Sequence, residues 1–169
     1  MNRAYIIDQL ERNLQSFQIL TNSLTEVEYL FKKDPMDWCL LEIICHLYDE
    51  EREDFRMRLQ TVIEAPFKHP PAINPEEWVL SRNYIDQDFE ERRKEFIAER
   101  KSSVIYLRGL KSPNWSNYYE HPTLGNLDGD HFLRNWLAHD YLHLRQITQR
   151  KYQYLQEMTG NECNYAGTW

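Results

Sequence analysis

The sequence predicts an all-α protein, a four-helix bundle. Four long segments repeat apolar residues at helical spacing, no segment alternates as a strand does, and only 5 glycines occur in 169 residues, too few for an all-β fold with many tight turns. The length suits one domain spanning residues 1–169, with 41% hydrophobic residues to build its core.

The first helix is expected from about Tyr5 to Leu24, where Ile6, Leu10, Leu14, Phe17 and Leu24 recur by threes, fours and a seven. Asp34-Pro35 breaks the chain. A second helix follows from about Asp37 to Ile63, its start capped by Asp34 or by Asp37; the sequence leaves both open. Pro66, Pro70, Pro71 and Pro75 exclude a continuous helix through the next stretch, although Asn74-Pro75-Glu76-Glu77 reads as the cap and acidic first turn of a short helix through Trp78. The third long helix runs from about Asp86 to Leu110, ended by Gly109, and the fourth from about Leu127 to Met158, ended by Gly160. Lys111 to Gly125, with Trp115, Tyr118 and Tyr119, is expected to be loop, either a lid over a site or a plain crossover.

The net charge of −7 and the lack of a basic run argue against nucleic acid as a partner. No apolar stretch is long enough to span a bilayer, and the first residues lack the pattern of a secretory signal. Cys39, Cys45 and Cys163 are odd in number and form no C-x-x-C pair, which fits a reducing cytoplasm.

The chemistry-bearing pattern is His139-Asp140-Tyr141-Leu142-His143. Positions i and i+4 share a helix face, so two imidazoles there can bind one ion. Phe132, Trp136, His139, His143, Gln146 and Ile147 fall on one apolar-rich face, which turns both rings inward. On the second helix, Cys39, Ile43, His46, Leu47, Glu50 and Met57 share an arc that is apolar except for His46, Glu50 and, at its edge, Asp54. If the helices pack face to face, His46, His139 and His143 converge as metal ligands and leave one coordination position open. Glu50 is then a fourth ligand, an acceptor for an imidazole N–H, a catalytic carboxylate that moves a proton, or the salt-bridge partner of Arg92 or Arg93. Three nitrogens suit zinc, with nickel, iron or manganese as alternatives. His69, His121 and His131 are expected to be non-ligands; Trp38, Trp136 and Tyr106 are candidate pocket walls. H-D-x-x-H also resembles the H-E-x-x-H of zinc peptidases, but aspartate is shorter than glutamate, and Glu157 or Glu162 explains less as a third ligand than His46 does.

Trp38-Cys39-Leu40-Leu41-Glu42-Ile43-Ile44-Cys45-His46-Leu47 is similar to the tryptophan-led second helix of the DinB/YfiT-like metal-dependent four-helix bundles. Thr123-Leu124-Gly125-Asn126-Leu127 and the closing His139 to Ile147, H-x-x-x-H-x-x-Q-I, resemble that family's fourth helix. The proline-rich insert and the tail from Asn161 to Trp169 lie outside the pattern. The resemblance implies long crossover connections, a metal at His46, His139 and His143 completed by water, often a homodimer, and a small-molecule substrate. Some members are thiol transferases or isomerases that use a low-molecular-weight thiol cofactor, and others look like hydrolases. The expectation is therefore a metal-dependent enzyme in which a divalent ion activates a thiol or water; the alternative is a non-catalytic metal-binding or stress-related bundle.

Overall fold

A computed structural model describes residues 1–66 and 68–167. Four rods form the bundle: α1 (Arg3–Leu20); a composite rod of α3 (Leu40–Asp49), a π-helical stretch (Glu50–Arg56) and α4 (Met57–Glu64); α6 (Phe89–Gly109); and α7 (Gly129–Thr159). Rod contacts run α1 to α6 and α7, α3 to α6 and α7, and α4 to α7. Each long connection carries a small element of its own: α2 (Glu26–Leu30), α5 (Pro75–Ser81), and a hairpin of β1 (Tyr118–His121) and β2 (Gly125–Asp128).

The first expected helix stops early. Thr21 caps α1, Ser23 takes a left-handed φ of 55°, and Thr25 and Glu28 form a reciprocal capping box that starts α2. The second helix begins at neither aspartate. Cys39 is its N-cap, and the Cys39 N–H donates to Glu42 Oε2 at 2.8 Å, with Lys32 holding the same carboxylate. A glutamate three residues on reaches back to the N-cap N–H, as in a capping box. The short helix after Asn74 forms as expected, and Asp88 caps α6 through Glu91 N–H.

The loop expected from Lys111 to Gly125 is corrected in part, since Tyr118–His121 pairs antiparallel with Gly125–Asp128. Gly125, at φ +74°, allows the tight reversal. The strands are four residues each and contain no β-branched residue, so no strand signal preceded them.

The core has two apolar clusters. One gathers Ile6, Leu10, Phe55, Leu59, Leu107, Leu133 and Trp136; the other gathers Leu14, Phe17, Ile43, Leu47, Phe96 and Ile147. On every rod a polar residue falls between them: Asn13 on α1, Glu50 and Glu51 on the composite rod, Arg100 on α6, and Asp140 and His143 on α7, all buried. The bundle thus carries a polar layer at its middle.

Candidate metal centre

His46 sits near the end of α3, and His139 and His143 lie one turn apart on α7. Their rings meet in the polar layer. Nε2 of His139 lies 3.2 Å from Nε2 of His46 and 3.0 Å from Nε2 of His143. Among the described residues, these three are the group whose ligand atoms fall within 4.8 Å of one another. Two nitrogens on a tetrahedral zinc with bonds of 2.0–2.1 Å are about 3.3 Å apart. The spacing fits a shared ion.

The surroundings hold the rings neutral. Burial pulls His46 down to about 3, with the His143 charge adding to it, and pulls His143 down to about 4. His139 is pushed well below the usual histidine range, first by burial and then by its two histidine neighbours. Neutral imidazoles are the form that binds metal. His143 Nδ1 donates to Gln146 Oε1 at 2.8 Å, which fixes the tautomer that leaves the Nε2 lone pair free. With that lone pair fixed, one proton between converging nitrogens satisfies one contact and leaves another unmatched; a cation would satisfy all three. Among the described residues, His46 Nδ1 is buried without a partner.

Glu50 lies one turn after His46 and is buried, but it is not in the three-histidine group. It shares a hydrogen bond with Asp54, and burial together with the Asp54 charge raises its pKa to about 9. Asp54 in turn pairs with Arg58. Two roles expected for Glu50 are therefore corrected. It makes no salt bridge with Arg92 or Arg93, which pair with Glu95 and Glu90 on their own helix. Nor, among the described residues, does it accept from the N–H of His46, whose Nδ1 has no partner there. One Glu50 oxygen, Oε1, is buried and has no partner among the described residues.

Asp140, the second residue of H-D-x-x-H, is turned away from any peptidase role. Its carboxylate accepts from Arg100 through two bonds of 2.7 Å and from Asn13 at 3.1 Å. Glu157 and Glu162 are exposed at the far end of α7 and beyond it. His69 is exposed, His121 accepts the N–H groups of Thr123 and Leu124 in the hairpin turn, and His131 accepts from Arg134; none joins the cluster.

Trp38 packs against His46, with ring centroids 4.9 Å apart. Trp136 and Tyr106 face elsewhere. Trp136 is fully buried and donates to Glu51, and Tyr106 donates to Glu64. The wall that the sequence reading missed is Phe55, with its ring 5.0 Å from His139. In an α-helix Phe55 lies nine residues from His46, well off its face; the π turn between them is what swings it inward.

The fold and the clustered imidazoles define a class, a helical bundle whose core can hold a divalent metal. The DinB superfamily pattern matches residues 9–147, and the chain belongs to that superfamily. Its fold is also similar to that of YfiT from Bacillus subtilis, described as a probable metal-dependent hydrolase with an unusual four-helix bundle topology. That match has a TM-score of 0.78 at 14% identity and covers 95% of this chain and 89% of the other. No curated protein matches the sequence.

Proposed function

We propose that the protein is a metal-dependent enzyme acting on a small molecule, with His46, His139 and His143 as the ligands of one divalent ion. The observation that carries this reading is the convergence of three neutral Nε2 atoms at 3.0 and 3.2 Å, from two buried rings and one half-buried one. Zinc suits the donor set best; nickel, iron and manganese bind the same nitrogens. When bound, such an ion supplies Lewis-acid charge and makes water or a thiol nucleophilic near neutral pH.

The chain's own residues do the rest. Gln146 holds His143 in its ligating tautomer. Trp38 packs against the His46 ring and Phe55 against the His139 ring. Glu50 keeps a proton through neutral pH, because burial and Asp54 disfavour its anion. That makes it an acid in the resting state. In a hydrolysis it gives this proton to the leaving group and regains one from the attacking water. The similarity to a probable metal-dependent hydrolase supports the hydrolytic branch. A thiol transferase, with a low-molecular-weight thiol in place of water, uses the same ligands. We place the protein in the cytoplasm, where its three free cysteines stay reduced, and we take its working form to be a homodimer.

The test is a panel of esters, amides and thiol-reactive electrophiles, assayed with zinc-, nickel- and manganese-loaded protein with and without added thiols. Turnover without thiol that is lost in Glu50→Gln supports hydrolysis. Turnover only with thiol supports transfer. A metal-loaded protein inert to the whole panel favours a non-catalytic bundle.

A further inference from the structure

Beside the histidines lies a second polar cluster, and among the described residues no hydrogen bond joins it to their rings. Arg100 of α6 is 1% exposed. Its Nε donates to Glu51 Oε1 at 2.8 Å, Nη1 to Asp140 Oδ2 and Nη2 to Asp140 Oδ1 at 2.7 Å each, and Nη1 also to Leu10 O at 3.2 Å. Trp136 Nε1 donates to the other Glu51 oxygen at 2.9 Å, and Asn13 supports Asp140. Every rod of the bundle contributes a member.

Placement gives this cluster its meaning. Asp140 directly follows His139, and Glu51 lies five residues after His46, so Arg100 ties together the two rods that carry the imidazoles, each close to its histidine. The flanking clusters are aliphatic and aromatic, and such contacts are non-directional; rods packed by them alone tolerate small slides and rotations. Nitrogens 3.0 and 3.2 Å apart do not tolerate the same error. A guanidinium fork with a two-bond grip on one carboxylate and a third bond to another fixes both offset and rotation. Buried ion pairs are a poor source of net stability, because desolvation offsets their attraction; their best-attested use is register.

We propose that Glu51, Arg100 and Asp140 are positioning residues for the metal site, a staple that sets the register of the two histidine-bearing rods and adds little to net stability. The inference rests on the three-histidine metal reading.

Two variants test it, Glu51→Leu/Arg100→Met/Asp140→Leu and the single Arg100→Lys, which keeps the charge and loses the fork. Three measurements are made on each and on the unaltered chain: thermal melting, titration with cobalt(II) followed by its visible absorption, and a metal-free crystal structure. The triple variant is expected to melt near or above the unaltered protein, to bind cobalt about 10- to 100-fold more weakly, to show an altered cobalt spectrum, and to have its Nε2 atoms spread apart without metal. Arg100→Lys is expected to fold and to weaken cobalt by about 10-fold. Unchanged affinity and spectrum in either folded variant overturn the proposal. If the triple variant fails to fold, Arg100→Lys decides by the same readouts. If the unaltered chain takes up no cobalt, the metal reading fails; the metal-free structures still judge the staple, and unmoved rings in the variants overturn it.

Discussion

His139 stands at the centre of the cluster, with its Nε2 3.0 and 3.2 Å from those of the other two rings. Removing it leaves two ligands, too few for a stable site, so His139→Ala is expected to abolish stoichiometric metal by elemental analysis; full retention contradicts the assignment. Gln146→Leu leaves His143 without its tautomer-fixing acceptor and is expected to weaken metal binding about 10- to 100-fold by competition with a chelator. Acid and alkali stress different residues of the metal-free chain. His46 and His143 stay neutral to about 3 and about 4 when folded but take protons near 6.5 when unfolded, so stability falls as pH drops below about 6.5. Glu50 acts in the opposite sense. It is protonated up to about 9 when folded against 4.5 when unfolded, so its contribution is lost as pH rises through 9. Denaturant melts at pH 7 and pH 9 are expected to show that loss, and Glu50→Gln is expected to remove it; an equal loss in the variant contradicts the assignment of the proton. The histidines were legible because spacing and an apolar face are local properties. Arg100 was not, because α6 also carries Arg92, Arg93, Lys94, Lys101 and Arg108, and nothing local marks the one that is buried.

The composite rod explains most of what helical periodicity missed. Counted as an α-helix, it places Glu50 on the face of His46 and Glu51 off it. In a π turn positions i and i+5 align instead, and Glu51 and Phe55 are both buried. A one-residue change of phase inside a helix leaves no mark in composition, so the extent of the rod was readable and its inner face was not. The hairpin was hidden for another reason. Its strands, Tyr118–His121 and Gly125–Asp128, are too short to show alternation, yet Tyr119 and Leu127 pair across it and pack into the core. Its junction with α7 is tight. A Cβ on Gly129 would lie 3.1 Å from the Trp115 ring and 3.3 Å from the Trp115 carbonyl oxygen, which already accepts the Gly129 N–H. Backbone held by that bond yields little, so Gly129→Ala is expected to cost about 1–3 kcal/mol in thermal or denaturant melts while metal content stays unchanged. A neutral substitution contradicts the close packing.

The whole molecule divides its labour between layers. Two apolar clusters carry the fold, and the polar layer between them carries the site. This division is why the bundle was predictable from four apolar stripes, whereas the pairing of charges inside it needed three-dimensional information. It also predicts the response to chelation. An ion that binds only the folded chain stabilises it by about 2.7 kcal/mol at a concentration 100 times its dissociation constant. Stripping the metal is therefore expected to lower the melting temperature and leave the helical circular dichroism in place at 25 °C; loss of the helical signal there contradicts a fold carried by the apolar clusters. No helix among the described residues is long and apolar enough to cross a membrane. X-ray absorption at the metal edge, with quantitation of the ion per chain, tests the central assignment most directly. One divalent ion per chain with imidazole nitrogens in its shell, absent from His139→Ala, is the expected result. A chain that takes up no ion, or an ion with no imidazole around it, contradicts the account.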